Sequence, residues 1–525
     1  MAERLKHILD SVHGYVVIPS LYADKIIDTP QFQRLRRVEQ TSCRALFPSA
    51  RHDRFIHSIG VFYLGSLICE HLWNDIFKEE DKRNENLVSI IITYRIACLL
   101  HDVGHTPFSH TFEEFFDNSH NELLRTLAEL IPEDKNFKEE FISQFTSRGE
   151  LRFAPHELLS AIVAIQYYRE IIISQENEWK GKKQRGIPSL LARMIVGCRY
   201  NDPQKSLENT FIELIHSDIL DADGLDYVCR DVWASGYATA KVDITRIINA
   251  IVLHKDQEEY VICYSDKAIN EIRSVLQVKN FQNDLVFNHH TIRLEQEILR
   301  QAMQSAAVYH LQLTPSEGED IENFRKNALK QLCDIKMFYT EGFTLPNNEI
   351  IKNPMDDDFI HLMKYIDDEY INQWFSRQFN WCPLWKRQEA FLADLTDELR
   401  EDLDEFAWIF SEPCKQYLES KYSISAKDIW FSEIKQKNKL EKLNDALIYS
   451  NNKISKYSTI YQKQTGSLKE NSPELKYIFI PKSLEGIREH IQKDLIQEWG
   501  KHIRTNSLRK VIKRVKTFID KHLQP

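Results

Sequence analysis

A chain of 525 residues is too long for one ordinary core, because domains usually run from about 50 to 250 residues, so two or three compact units are expected. Apolar residues at 42% and charged residues at 28% exclude a disordered chain. The net charge of −10, spread along the sequence, argues against nucleic acid as a partner bound by bulk electrostatics, so any phosphate site must be local.

The opening MAERLKHILDSVHGYVVIP has no continuous apolar run. No stretch elsewhere approaches the ~18 uninterrupted apolar residues of a membrane span. A cytoplasmic protein without a membrane partner is therefore expected. Within that opening, Tyr15 to Ile18 is β-prone, and TPQFQRLRRVEQ from Thr29 to Gln40 reads as a helix with Thr29 as cap and Pro30 in its first turn. Arg54 to Phe77 reads as a long buried helix, with Ile59, Phe62, Leu67, Leu72 and Ile76 at broadly helical spacing.

The next apolar run, Leu87 to His105, carries a His-Asp pair near its end and reaches Gly104, a residue suited to a helix C-terminus or tight turn. Further helices are expected over His156 to Tyr168, Pro188 to Val196, Thr210 to Leu220, Asp223 to Ala234 and Leu285 to Ala306, with VICYS at 261–265 as the clearest strand. Polar sequence after residue 310 marks a boundary. Beyond it come aromatic-rich helices from Asp357 to Phe410, a Lys/Asn-rich connector from Lys435 to Lys456, a strand at Tyr477 to Pro481 and a basic amphipathic helix from Lys501 to His522. The expected fold is mainly α: a helical core over 1–310 and a smaller α+β lobe over 311–525, suited to assembly and regulation.

The nine cysteines stand singly, with no CxxC pair, so neither a zinc knuckle nor a redox motif is indicated. Histidines and carboxylates are the candidate metal ligands instead: His57 in RFIHSIG, His101 and Asp102 in LLHDVGH, and an aspartate in DILDADGLDYVCRD. Imidazole plus carboxylate without thiolate suits manganese, iron, cobalt, nickel or zinc in an open catalytic site. A single histidine on an apolar helix is more often a hydrogen-bonded core residue. An adjacent His-Asp pair at the end of such a helix is different, because burying a carboxylate there is costly unless a cation or several donors satisfy it. In DADGLDYVCRD a helical repeat places Asp223, Tyr227 and Arg230 or Asp231 on one face. The competing reading of these acids is helix-dipole complementation, with Asp218 or Asp221 as the cap.

Taken together, His57, His101-Asp102 and Asp223 resemble the H…HD…D signature of HD-domain proteins. The phrases IDTPQFQRLRRVEQ, RFIHSIGVFYLG, LLHDVGHTPFSHTFE, His156-Glu157 and DADGLDYVCRD resemble, more narrowly, the HD-domain deoxynucleoside triphosphate triphosphohydrolases, the family of bacterial dGTPases and of the vertebrate sterile-alpha-motif and HD-domain enzyme. The close match covers roughly residues 10–300. It implies an HD-domain core binding one divalent metal (Mn, Fe, Co, Ni, Zn or Mg) through His57, His101, Asp102 and Asp223. It also implies hydrolysis of the ester between nucleoside and α-phosphate with release of intact triphosphate.

By the same resemblance His110 is the general acid for the departing 5′ oxygen, Glu113 orients it where the family has aspartate, His156 extends the network and His105 approaches the α-phosphate. Gln40 is implied at the sugar edge, Arg54 and Tyr227 at phosphates, Asp231 at the 3′-hydroxyl and Phe287 against the deoxyribose. Gly224 departs from the family, which has a phosphate-binding lysine there, so a different cation or a different substrate is expected. Deoxynucleoside triphosphates are implied as substrates and allosteric effectors, and a homo-oligomer as the assembly. Two alternatives stay open: an HD phosphodiesterase acting on a nucleotide second messenger or nucleic-acid end, and a non-catalytic nucleotide sensor.

Overall fold

The computed structural model describes residues 5–113, 120–147, 150–151, 153–237, 242–256, 259–340, 342–345, 349–395, 411–433, 439–461 and 476–502. The architecture is mainly α with small sheets. Two compact units are interleaved along the chain: one comprises Met1–Phe287, Ile298–Asn372 and Asn438–Gln464, the other Asn288–Glu297, Gln373–Lys437 and Thr465–Pro525. A single division near residue 310 does not describe them, since 311–372 and 438–464 belong with the first unit.

The helices that matter for the site lie in the first unit. They are α1 (Arg54–His71), α2 (Glu85–Leu100), α3 (Pro155–Ile172), α4 (Ala222–Ser235), α5 (Ile269–Gln282) and α6 (Asp356–Met363). Helix α2 is apolar all round and nearly every residue from Leu87 to Leu100 is buried, which makes it the central rod of the core. Each fully buried Ile or Leu on it contributes roughly 1.5–3 kcal/mol. Helix α1 packs on α2 and α4. With its π-helical extension to Ile76, α1 has the length and composition of a membrane span, but 67% of its most apolar window is buried inside the protein, as in a core helix.

Gly104 is explained by packing rather than by helix termination. Helix α2 ends at Leu100, and a Cβ on Gly104 would collide with the backbone of Leu159 and Ser160 in α3. Thr29 to Gln40 is shorter than expected: α-helix holds only over Pro30–Gln33, tightens to a 3₁₀ turn over Arg34–Arg37 and opens to extended backbone at Val38. Thr29 makes no cap; its Oγ1 instead bonds Ile26 O and Tyr168 Oη. The expected helix over Thr210 to Leu220 is Ser206–Glu213. Leu285 lies inside a π turn, Asn283–Phe287, and the long helix begins at His290.

Strand Gly14–Pro19 forms a hairpin with Leu5–Asp10, and Glu259–Ser265 pairs antiparallel with Ile251–Asp256. The Lys/Asn-rich connector supplies a hairpin, Leu447–Ser450 and Lys453–Lys456, that joins this sheet by parallel pairing of Ile448 with Tyr264. The second unit carries a three-stranded antiparallel sheet in which Lys476–Pro481 lies between Trp381–Pro383 and Trp430–Glu433. Trp381 and Trp430 stack at 4.0 Å. Between Asp357 and Phe410 the described helices are Asp356–Met363, Glu369–Ser376 and Gln388–Asp394. Most of the expected basic helix, from residue 503 onward, lies outside the described residues.

Candidate metal centre and proton relay

Three chain segments converge on one cluster. Asp53 caps α1 by accepting from Ile56 N at 2.9 Å, which places His57 in the first helical turn. His101 and Asp102 follow the last residue of α2. Asp223 sits in the first turn of α4, where Asp221 is the cap; a carboxylate there also suits the helix dipole. The dipole reading of these acids therefore holds for Asp221, while Asp223 turns to the histidines.

His57 Nε2 lies 3.2 Å from His101 Nε2, 3.0 Å from Asp223 Oδ1 and 3.6 Å from Asp102 Oδ2. His101 Nε2 lies 3.6 Å from Asp102 Oδ2 and 3.8 Å from Asp223 Oδ1. The outer nitrogen of each ring faces an acceptor: His57 Nδ1 meets Asp226 Oδ2 at 2.7 Å and His101 Nδ1 meets Cys98 O at 3.0 Å. Each Nδ1 is thereby fixed as the N–H, leaving both Nε2 lone pairs aimed at one point together with two carboxylate oxygens. Such a set of acceptors calls for a cation, and its chemistry fits a divalent metal held by His57, His101, Asp102 and Asp223.

Without a metal, a proton answers the same demand. Burial opposes charge on His57, but its hydrogen bonds to Asp223 and Asp226 prevail and raise its pKa from 6.5 to about 10. Asp226, which the sequence reading passed over, is itself held by Arg230 Nε at 2.8 Å and His13 Nε2 at 2.6 Å, and Arg230 reaches Asp10 at 2.6 Å. Arg230 thus turns away from Asp223 and Tyr227 and braces the ligand from behind. Gly60 permits this, because a Cβ there would collide with the Asp226 carboxylate and the Arg230 guanidinium. The available signal was the spacing of Asp226 and Arg230, four residues apart on one helix.

A second cluster stands beside the first. Glu113 Oε1 accepts from His110 Nδ1 at 3.0 Å and from His156 Nδ1, and His105 Nε2 lies 3.9 Å away. Burial disfavours the charge on Glu113, yet the adjacent His110 and His156 hold its carboxyl well below the usual range. Burial likewise opposes charging His156, and Glu113 overrides it, raising His156 to about 9. His105 is fully buried, stacks on His156 at 4.4 Å and is pushed well below 6.5 by burial and by Arg54. Arg54 joins the clusters: Nη1 donates to Asp102 Oδ2 at 2.6 Å, Nε to Ser109 Oγ at 3.1 Å, and Nη2 lies 3.4 Å from His110 Nε2.

The loop bearing His110 is strained, with Phe108 at φ 55° and Ser109 at φ 49°. Asp356 of α6 holds it, accepting from Phe108 N at 2.7 Å and from Glu39 N at 3.0 Å, so one buried carboxylate fixes both the His110 loop and the segment bearing Gln40. Nothing near either motif in sequence announces this residue.

The remaining candidates are placed as follows. Gln40 is buried and its Oε1 has no partner among the described residues. Asp231, two turns beyond Asp223, accepts from His52 Nε2 at 2.7 Å. Tyr227 lies under Lys279 of α5, whose Nζ is 5.3 Å from the ring centre. A Cβ on Gly224 would collide with Lys279 Nζ, so a lysine from another helix fills the space beside Gly224. Phe287 is half-buried at the end of the turn after α5, and Gln282 of that helix donates to Val228 O of α4 at 3.0 Å.

Residues 54–177 match the HD domain family. That stretch of the chain is an HD domain. The matched stretch contains both histidine clusters, while Asp223 comes from beyond it. The HD-domain chain is 24% identical over 468 residues to an uncharacterized protein of Methanocaldococcus jannaschii, covering 84% of each. It is 27% identical over 343 residues to the deoxynucleoside triphosphate triphosphohydrolase of Gallus gallus, covering 62% of this chain and 50% of that one. Against the human enzyme of that name the identity is 26% over 389 residues, covering 70% and 55%. The chain thus spans about half the length of these vertebrate relatives. A crystal structure of a hypothetical protein from Aquifex aeolicus shares the fold, with a TM-score of 0.54 at 19% identity over 94% of this chain and all of that one.

Proposed function

We propose that the protein is a phosphohydrolase that cleaves deoxynucleoside triphosphates to deoxynucleoside and inorganic triphosphate. The observation that supports this reading is the pairing of the two clusters through Arg54: His57, His101 and Asp223 gathered as a cation site with Asp102 beside them and, one guanidinium away, an imidazole backed by a carboxylate. A bound divalent metal polarises a phosphoryl oxygen and acidifies water. His110 Nε2, with Nδ1 held by Glu113, donates its proton to the 5′ oxygen as the bond from that oxygen to the α-phosphorus breaks and water oxygen takes its place. His156 shares the Glu113 carboxylate and His105 lines the approach of the α-phosphate.

Arg54, Tyr227 and Lys279 supply the phosphate contacts. Lys279 answers the absence of a lysine at 224, since its ammonium already stands there. Asp231 takes the 3′-hydroxyl, Gln40 the sugar edge and Phe287 packs on the deoxyribose. The same nucleotides serve as effectors of a homo-oligomer, in cytoplasmic control of the nucleotide pool or antiviral defence. The test is hydrolysis of each deoxynucleoside and ribonucleoside triphosphate with manganese, magnesium or cobalt, singly and in mixtures, with products separated by chromatography. Deoxynucleoside plus intact triphosphate is expected. Cleavage of a cyclic or dinucleotide messenger or a nucleic-acid end, or binding with no turnover, would replace this reading. Light scattering with and without nucleotide tests the assembly.

A further inference from the structure

The second cluster holds more donors than proton transfer to one leaving group employs. Glu113 Oε1, His105 Nε2, His110 Nδ1 and His156 Nδ1 belong to a set whose ligand atoms all lie within 4.8 Å of one another. His105 is its most enclosed member: completely buried, with neither ring nitrogen hydrogen-bonded among the described residues. A buried polar group without a partner is costly, and its presence beside three other ligating groups points to something it binds. Three imidazole nitrogens and one carboxylate oxygen form a donor set suited to tetrahedral zinc.

The cluster also has a way in. The His110 side chain is 61% exposed, whereas those of His105 and His156 are largely buried, so an ion from solvent meets His110 first. Arg54 stands between this cluster and the His57 cluster, bonded to Asp102 and next to His110.

We propose that His105, His110, Glu113 and His156 form a second divalent-metal site of zinc-class preference, distinct from the His57 site, and that filling it silences hydrolysis. The silencing follows from what the ion displaces. His110 donates a proton only while its Nδ1 faces the Glu113 carboxylate; a cation held by those same atoms removes that partner and sets positive charge against the imidazole that must carry the proton. The silencing rests on the proposed function, whereas the binding does not.

The experiment takes the full chain, strips it with chelator, loads it with zinc or cobalt(II), desalts it and counts metal by mass spectrometry, with visible absorption reporting tetrahedral cobalt. Two equivalents are expected in the wild type and one in Asp223→Ala. One is also expected in His110→Ala and in the double variant His110→Ala/Glu113→Ala, which share loss of the tetrahedral cobalt band. His110 is exposed, so its removal leaves the fold intact. A single equivalent in the wild type, or two in the double variant, overturns the site. In the second arm, zinc added to the manganese-loaded wild type lowers hydrolysis by roughly 10²-fold, the contribution of a positioned acid. Full activity with two equivalents bound overturns the silencing. An enzyme inert toward every nucleotide refutes the proposed function, and the metal count still decides the site.

Discussion

The two histidine clusters use the same side-chain chemistry and differ in what stands behind each ring. In the first, His57 and His101 are pinned at their outer nitrogens by Asp226 and Cys98 O, so their inner lone pairs have no freedom and no donor. In the second, His110 and His156 share one Glu113 oxygen and His105 has no hydrogen-bond partner among the described residues. A ring fixed from behind is prepared for a resident cation; a ring sharing a carboxylate can exchange a proton, and a cation entering there competes with that proton. The backing residue, more than the histidine itself, decides the role.

Removing a first-cluster ligand should have the largest effect. Asp223→Ala is expected to lose bound metal and to abolish hydrolysis while circular dichroism stays native, since Asp223 is 38% exposed; unchanged metal content would remove it from the ligand set. His110→Ala should leave the His57-site metal in place and lower kcat by about 10²–10⁴-fold. A loss of that metal would mean that the clusters do not act separately. Asp226→Asn tests the backing directly: metal affinity should fall about 10–100-fold, measured by titration under conditions where dichroism shows the fold retained.

Smaller effects sharpen the contrast at its edges. Lys279→Met should raise KM for a triphosphate by roughly tenfold, the scale of one charge-assisted hydrogen bond, with kcat little altered. Equal losses in kcat and kcat/KM would place Lys279 at the reacting phosphate instead. Asp356 offers a pH test. Burial pushes its carboxyl up to about 7, against the bond from Phe108 N, whereas an unfolded aspartate titrates near ~3.9. Its stabilising contribution is complete below the unfolded value and is lost as pH rises through about 7. The urea midpoint of the wild type should therefore fall relative to that of Asp356→Asn across that window. Parallel midpoints would show that the buried carboxyl is not titrating.

Much of this was readable in advance where neighbours in sequence are neighbours in space. Helix α2 announces itself through a long, mostly apolar run, and the Asp223 helix through a cap and a repeat. The hairpin at Leu447–Ser450 was hidden in a polar stretch because its partner strand, Glu259–Ser265, lies far back in the chain. Lys279 was hidden for the same reason: it reaches Gly224 from another helix, and a glycine's side of the contact leaves no mark in sequence.

The sequence by itself determined the mainly helical fold and the order of the H…HD…D motif, because helical periodicity and short motifs are local properties of the chain. Only the tertiary structure decided that Asp226 backs His57, that Asp356 holds the strained His110 loop, and that Lys279 stands beside Gly224. Each depends on a contact between segments whose separation along the chain says nothing about their distance once the apolar faces of the helices have packed.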